Sequence, residues 1–362
     1  MPETVLVNGN AYSLLKLLGK GKGGYSYLAQ MADGQQVVVK QIHHEPCVYY
    51  QFGNKIEAEL RDYNHLQEIG IPMPRMLDVD TKAERMVYDC IDDMFLDENV
   101  DIIYITSPHN THFQFMEKAL THGKHILVEK SITLNSTELE RMAALADANH
   151  LIMAEAMTIW HMPLYKKLWE IVQSGALGKV QIMTLNFGSY KEYNMQNRFF
   201  NMNLAGGAML DIGVYALSIV RSFMEETPTN ILSQWKPSPT GSDEQATVLL
   251  QNSLGQMATV ALSMHSKQPK RAMISCEKGY IEIMEYPRAD KAVIVDAETG
   301  ARTEVAAGST ADALYYEMLD MEHAVQTRDA SAMCLGYSRD VMDIMTRLRK
   351  EWGMKYPGEE WD

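Results

Sequence analysis

Three apolar runs between residues 101 and 157 limit what this 362-residue chain can fold into more than any other feature of its sequence. The runs are DIIYIT, HILVEK and LIMAEAM, and they begin at residues 101, 125 and 151. Continuous apolar runs are typical of strands that are buried on both faces of a parallel sheet. Segments with helical spacing follow the runs, and Asn135 precedes one of them as a helix cap. This alternation predicts the second half of a doubly wound α/β sheet.

The pattern changes to shorter strands after Lys179. Six strand-like runs lie between residues 179 and 305, and turn sequences such as NSLG, EKG and AETG separate several of them. One helical segment at about 206–224 interrupts the runs, and residues 311–352 return to helical spacing. This part of the chain predicts an open antiparallel sheet followed by C-terminal helices. The fold class from residue 94 onward is therefore α/β plus α+β.

The first 93 residues contain a glycine cluster in which Gly19, Gly21 and Gly24 satisfy the pattern GxGxxG. In a dinucleotide-binding fold such glycines follow the first strand and open a helix. Here the aromatic sequence Tyr25-Ser26-Tyr27 follows, with a DG turn and a further strand after it, and this is typical of hairpins. We therefore interpret the glycines as part of an antiparallel hairpin rather than of a Rossmann fold.

Residues 1–93 resemble the N-terminal lobe of a protein-kinase-like phosphotransferase. Lys40 ends the run VVVK, where such a lobe carries a lysine that contacts phosphate. Glu57 or Glu59 in the next helix would be its ion-pair partner, and the spacing to the helix end favours Glu59. No HRD-like loop and no DFG-like magnesium ligand follow Asp93, so the groups that position phosphoryl transfer are missing. The resemblance leaves ATP binding as an open alternative.

Composition excludes several classes of partner. The formal net charge of -14 disfavours nucleic acid, because phosphate binding needs concentrated Lys and Arg. No uninterrupted apolar run approaches the roughly 18 residues that a bilayer requires, and the start of the chain does not resemble a signal peptide. The four cysteines lack CxxC spacing, so we expect neither a zinc site nor disulfides. These features favour a cytoplasmic protein without a metal.

Two motifs resemble those of the Gfo/Idh/MocA oxidoreductase family, especially its dihydrodiol-dehydrogenase-like branch. The first is DIIYITSPHNTHF followed by HILVEKS, and the second is GGAMLDIGVY at residues 206–215. The resemblance begins at about Leu96 and covers nearly three-quarters of the chain. It implies an incomplete Rossmann-like domain over residues 94–165 and a substrate and oligomerisation domain over residues 166–362. Dimerisation through the open sheet is implied in the same way.

The resemblance also implies a nicotinamide site at the carboxyl edge of the parallel sheet. The residues that would contact NAD or NADP are Ser107, Pro108, Asn110, His112, Glu129 and Lys130. Lys130 would be catalytic, because its charge polarises the reacting oxygen and lowers the pKa of the neighbouring acid/base group. Ser131 stands where the family's usual EKP string has proline.

Position 215 would hold the acid/base group of the reaction. Asp211 and Tyr215 are four residues apart, so a helix places both on one face. The resemblance implies that Asp211 binds substrate hydroxyls or orients the site, and that Lys130 brings the pKa of the Tyr215 phenol toward neutrality. Glu155 and Trp160, which end the third strand, would line the substrate pocket.

The implied activity is hydride transfer between NAD or NADP and a carbinol carbon of a sugar, polyol or cyclic diol. The phosphate-binding glycines and the ribose-binding acid of a complete Rossmann domain are not found where they would be expected. Two alternatives therefore stay open beside a working oxidoreductase. One is a kinase-like nucleotide-binding or regulatory fusion without redox turnover, and the other is a joined product of two genes.

Overall fold

The computed structural model describes residues 3–20, 24–44, 54–68 and 73–359. The chain divides into two compact units, Met1–Asp101 and Ile102–Asp362. The boundary lies a few residues beyond the change of sequence pattern near residue 93, because a short helix at Ile91–Leu96 belongs to the first unit.

The first unit is an antiparallel sheet with one long helix beside it. Its strands follow the order β1-β2-β3-β4-β6-β5. The strands are β1 Thr4–Val7, β2 Asn10–Lys20, β3 Gly24–Gln30, β4 Gln36–Ile42, β5 Met76–Asp80 and β6 Arg85–Asp89, and the helices are α1 Lys55–Glu68 and α2 Ile91–Leu96. Val7, Val37 and Val87 are fully buried in the core of the sheet, and Ile56 of α1 packs against Ile42 and Met86.

The second unit begins with three parallel strands in the order β7-β8-β9. These strands are β7 Ile102–Ile105, β8 His125–Glu129 and β9 Met153–Ala156. The helices between and after them are α3 His112–Thr121, α4 Ser136–Ala148, α5 Thr158–His161 and α6 Pro163–Gln173. The predicted cap of α4 is confirmed, because the Glu138 backbone N–H donates to Asn135 Oδ1 at 2.9 Å. Three consecutive parallel strands bring their carboxyl ends to one edge.

An eight-stranded sheet completes the second unit, in the order β11-β12-β13-β10-β14-β15-β16-β17. Its strands are β10 Val180–Gly188, β11 Asn230–Pro237, β12 Asp243–Gln251, β13 Met257–Ser263, β14 Gln268–Cys276, β15 Gly279–Met284, β16 Lys291–Asp296 and β17 Arg302–Ala306. The helices are α7 Val214–Phe223, α8 Ala313–Thr327 and α9 Leu335–Trp352. The purely antiparallel prediction was wrong at one pair, since β10 and β13 are parallel. The helix predicted at 206–224 begins with a π-helical turn at Met209–Gly213.

The segment Met202–Phe223 is long and apolar enough to cross a membrane if only length and composition are considered. The sequence prediction missed this because Asp211 interrupts the apolar run. In the structure, 78% of the most apolar 18-residue stretch of this segment is buried inside the protein. A core helix has the same composition, so the segment is weak evidence for a membrane span.

Candidate active site

Lys130 follows the last residue of β8 at the carboxyl edge of the parallel sheet. Its side chain is 13% exposed, and its Nζ donates to the Asp211 backbone carbonyl at 2.7 Å and to Asp211 Oδ1 at 3.2 Å. The same Nζ lies 4.9 Å from the centre of the Tyr215 ring. The structure therefore brings together the three side chains that the two sequence motifs predicted as catalytic.

Asp211 and Tyr215 lie on either side of the junction between the π-helical turn and α7. A π-helical turn widens the helix by one residue and is frequently found at functional sites. Here it turns the Asp211 backbone carbonyl as well as its carboxylate toward Lys130. The ammonium group is thus held by two acceptors of one residue, which leaves its third hydrogen for another partner.

Electrostatics at this cluster favour charged Lys130 and Asp211 and neutral Tyr215. Burial alone would raise the pKa of Asp211, but Lys130 and Arg198 outweigh it and hold that pKa well below its usual range. Burial would lower the pKa of Lys130, but Asp211 and Tyr215 hold it above the ordinary value. For Tyr215 burial is the largest effect and raises the pKa.

The expected lowering of the Tyr215 pKa toward neutrality was wrong. Lys130 does act in that direction. However, burial of the phenol, together with the negative charges of Glu129 and Asp211, raises the pKa by more than Lys130 lowers it. The Tyr215 phenol is consequently neutral at neutral pH.

Gly206 and Gly207 precede the cluster, and the backbone at Gly207 lies close against a carboxyl group of the protein itself. Gly207 has φ +139°, and a Cβ there would lie 1.9 Å from Asp243 Oδ1. Asp243 Oδ2 accepts the Met209 backbone N–H at 2.5 Å, at the first turn of the π-helical segment. Burial raises the pKa of Asp243 to about 7. The glycine therefore makes room for a buried carboxyl that holds the start of the helical segment with Asp211 and Tyr215.

Replacing Gly207 by alanine is expected to lower the free energy of unfolding by about 2–4 kcal/mol, from the strained φ and the collision with the Asp243 carboxylate. Urea denaturation measures the change. Gly336→Ala is the matched control, because Gly336 lies in α9 with no atom near its Cβ position. A Gly207→Ala protein as stable as the control would contradict this account of the turn.

The residues predicted to contact the nicotinamide side of the cofactor surround the ends of β7 and β8. Ser107 Oγ accepts from Thr111 Oγ1 at 2.7 Å, while Pro108 and Asn110 are exposed. Glu129 is partly buried and accepts the Tyr104 phenol at 2.7 Å. This edge offers carboxylate, hydroxyl and ammonium groups beside Tyr215, a set of acceptors and donors that fits the ribose and carboxamide of a nicotinamide nucleotide.

The ring of His112 contacts backbone carbonyl oxygens of the protein. It is fully buried, with Nε2 2.8 Å from the Ser107 carbonyl oxygen and Nδ1 3.0 Å from that of Ser131. Its ring thus ties the loop after β7 to the loop after β8, and burial lowers its pKa. His109, which the sequence analysis did not select, lies nearer the cluster. Its Nε2 lies 2.9 Å from the Lys130 carbonyl oxygen, and burial and then the Lys130 charge lower its pKa to about 3.

Glu155 and Trp160, which were predicted to line the substrate pocket, are both buried. Glu155 Oε1 accepts the Ile132 backbone N–H at 3.0 Å, so it supports the loop that carries Lys130. Burial raises the pKa of Glu155 to about 7. Trp160 is 1% exposed and packs 6.0 Å from the Tyr337 ring. Neither residue is among the described residues that line the cavity beside Tyr215.

Sequence patterns missed two features of the site. Arg198 Nη2 lies 3.7 Å from Asp211 Oδ1, but it belongs to an irregular segment after β10 that has no periodicity. A cavity of about 690 Å³ borders Tyr215 and Phe187 and extends along β15, β16 and β17. In the part of the chain that the structure describes, no three His, Cys, Asp or Glu side chains are grouped to hold a metal ion.

In the first unit, Lys40 Nζ donates to Glu59 Oε2 at 2.6 Å, joining β4 to α1. Gly19 lies in β2 and Gly24 begins β3, and these two strands pair antiparallel, so the described glycines of the motif agree with the predicted hairpin. Gly21 lies outside the described residues.

Comparisons with known proteins connect these features to one family. A model described as the oxidoreductase family, NAD-binding Rossmann fold, matches residues 50–157. A model of the GFO/IDH/MocA C-terminal domain matches residues 165–282. Together the two matches cover more than half of the chain.

Among individual proteins, the trans-1,2-dihydrobenzene-1,2-diol dehydrogenase of Xenopus laevis is 26% identical over 281 residues, covering 75% of this chain and 84% of its own. The D-xylose 1-dehydrogenase (NADP(+)) of Hypocrea jecorina is 26% identical over 314 residues, covering 77% of this chain and 80% of its own. The solved structure of an aldose-aldose oxidoreductase from Caulobacter crescentus, complexed with glycerol, has a TM-score of 0.67 at 20% identity and covers 82% of this chain and 87% of its own.

Proposed function

This chain belongs to the Gfo/Idh/MocA family of NAD(P)-dependent oxidoreductases, and we propose that it interconverts a carbinol and a carbonyl carbon of a sugar, polyol or cyclic diol. The observation that carries this proposal is the cluster of Lys130, Asp211 and Tyr215 beside a cavity. The bound nicotinamide would supply or accept the hydride.

Within this proposal Lys130 directs its remaining N–H at the reacting oxygen of the substrate. In reduction the oxygen gains negative charge, which the ammonium stabilises. The Tyr215 phenol donates the proton to that oxygen, and in oxidation the phenolate takes the proton back. Asp211 keeps Lys130 charged and oriented through the contacts at 2.7 and 3.2 Å. Ser107, Pro108, Asn110 and Glu129 would hold the nicotinamide side of NAD or NADP.

The function is tested by steady-state assays of the full chain with NAD or NADP and three substrates, namely D-xylose, a polyol and a cyclic trans-diol. We expect NADPH or NADH to form with at least one substrate. The proposal fails if neither cofactor is reduced with any of the three and neither reduced cofactor is oxidised in the presence of the matching carbonyl compounds.

A second candidate function rests on the first unit, for which we propose nucleotide binding in the manner of a kinase N-terminal lobe. The strand order β2-β3-β4-β6-β5, with α1 inserted after β4, and the Lys40–Glu59 ion pair favour this proposal. Such a lysine contacts the phosphates of ATP in a kinase. Since the catalytic loop and magnesium ligands of a kinase are missing, the proposal covers binding and not phosphoryl transfer.

Replacing Lys40 by methionine should weaken ATP binding by about tenfold or more, because a charge-assisted contact to phosphate is lost. Fluorescence titration of the full chain with a labelled ATP analogue measures the affinity. Lys16→Met, at an exposed position of β2, is the control. Binding that is unchanged in Lys40→Met, or absent from the unsubstituted protein, would refute nucleotide binding at this lysine.

We also propose a homodimer through the open face of the eight-stranded sheet. Ile182, Leu232, Leu249 and Met257 are exposed on this face, and the register pairs Leu232 with Leu249 and Ile182 with Met257. Neighbouring exposed apolar side chains on a sheet are typical of an interface. Sedimentation velocity should give twice the 41.0 kDa chain mass, and Leu249→Lys should shift the protein toward the monomer while Leu314→Lys in α8 does not. A monomer at micromolar concentration would contradict the dimer.

A further inference from the structure

Charged side chains line the cavity beside Tyr215, and only some of them are paired with an opposite charge. Its volume is about 690 Å³, and acidic and basic side chains from β14 to β17 line it together with the phenol. The chemistry of a substrate that enters is decided by those charged groups that are not already neutralised by a neighbour.

Three of the lining acids are engaged by donors of the protein. These contacts are Lys270 Nζ to Glu285 at 2.7 Å, Arg271 and Arg302 to Glu282 at 2.8 and 3.3 Å, and the Thr310 backbone N–H to Asp290 at 3.1 Å. Lys291 and Glu304 are both exposed and carry opposite charges on the adjacent strands β16 and β17. Glu282 and Glu285 are therefore paired with cations, whereas the carboxylates of Asp290 and Glu304 keep their negative charge.

Among the described residues, Arg288, like Lys291 but unlike Lys270, has no carboxylate within ion-pair distance. Within the described ranges its guanidinium group makes neither a hydrogen bond nor an ion pair with any side chain. Its positive charge nevertheless acts on Tyr215, opposing the effect of burial on the pKa of that phenol, and on the buried Glu317. Arg288 is thus an unpaired cation close to the acid/base residue.

The backbone that carries Arg288 is firmly held. Tyr165 donates to the carbonyl oxygen of Tyr286 at 2.5 Å, and Thr158 Oγ1 donates to that of Pro287 at 2.7 Å. Thr310 Oγ1 donates to the Arg288 carbonyl oxygen at 2.7 Å. Because the backbone is fixed, only the exposed side chain of Arg288 has to be ordered when its guanidinium binds a bidentate partner.

We infer that Arg288 binds an anionic group of the substrate, a carboxylate or a phosphate, while the reacting carbinol lies at Tyr215. This inference rests on the proposed function and narrows its substrate class to hydroxy acids, sugar acids or phosphorylated sugars. A guanidinium fork matches either oxyanion, and the two sources differ in charge and size.

The test compares glucuronate, glucose 6-phosphate and glucose as ligands of the full chain by isothermal titration calorimetry, with NADP and without it. At least one anion should bind about tenfold more tightly than glucose. Arg288→Gln should remove that preference by lowering the affinity for the anion about 10- to 100-fold. Arg288→Lys should restore part of it, because the charge is kept. Arg141→Gln, at an exposed position of α4 outside the cavity, is the control. Tighter binding of glucuronate indicates a substrate with a carboxylate, and tighter binding of glucose 6-phosphate indicates a substrate with a phosphate.

Two results would overturn the inference: no anion binds more tightly than glucose, or Arg288→Gln binds the anions as the unsubstituted protein does. Binding does not require turnover, so the outcome is separate from that of the proposed function. Anion preference that depends on Arg288 supports the inference even if NADP is never reduced. Turnover of neutral sugars without any anion preference supports the proposed function and refutes the inference.

Discussion

Lys130→Met is expected to lower kcat for the substrate found in the assays by about 10²- to 10⁴-fold, because the developing charge on the reacting oxygen loses its ammonium partner. Methionine keeps the length and the apolar stem of lysine but has no donor. The value of KM should change less than kcat, since the contact strengthens as charge develops on the oxygen.

The control for this substitution is Lys179→Met, at an exposed position before β10 that contributes no side-chain contact to the site. Lys130→Met also leaves the Asp211 carboxylate with Arg198 as its remaining cationic neighbour at 3.7 Å. Its melting temperature must therefore be measured beside its activity. A well-folded Lys130→Met protein that retains more than about a tenth of the original kcat would show that Lys130 is not catalytic.

Tyr215→Phe is expected to lower kcat by a similar factor of about 10²–10⁴, because the phenol that moves the proton is removed while the ring remains. The affinity for the reduced cofactor should be nearly unchanged. Tyr315→Phe, at an exposed position of α8, is the matched control. Activity in Tyr215→Phe equal to that of the control would assign the proton transfer to another group.

The direction of the pH dependence follows from the raised pKa of Tyr215. Oxidation needs the Tyr215 phenolate. The rate of oxidation should therefore keep rising with pH above neutrality, up to and beyond the pH at which an ordinary tyrosine ionises. Reduction needs the neutral phenol, so its rate should stay constant and fall only above the raised pKa. Both dependences should be lost in Tyr215→Phe. An oxidation rate that is already constant at neutral pH would mean that the cofactor or substrate lowers this pKa strongly on binding.

The position of Lys130 could be predicted because a charged residue that ends a buried parallel strand is forced to the carboxyl edge of the sheet. Asp211 and Tyr215 could be placed on one helix face from their spacing, although the π-helical turn between them could not. Two glycines, Gly206 and Gly207, precede them in the sequence. Only the fold shows that the group close to Gly207 is the carboxyl of Asp243, thirty-six residues later in the chain.

Other features depend on contacts that no local pattern records. Arg198 reaches Asp211 from an irregular segment, and Arg288 lines the cavity while the neighbouring Glu285 is paired with Lys270. The pKa of Tyr215 is raised because burial and two carboxylates outweigh one lysine, and only coordinates give that balance. The parallel pairing of β10 with β13 was missed for the same reason, since strand patterns identify strands and not their partners.

The central claim is that this chain works as an NAD(P)-dependent oxidoreductase, although its described parallel sheet has three strands and Gly19 and Gly24 lie in paired antiparallel strands. Fluorescence titration of the full chain with NADPH and with NADH tests it most directly. The account predicts saturable binding of at least one of them with a dissociation constant below about 1 mM. A titration of both cofactors that shows no saturation up to several times that concentration would contradict it.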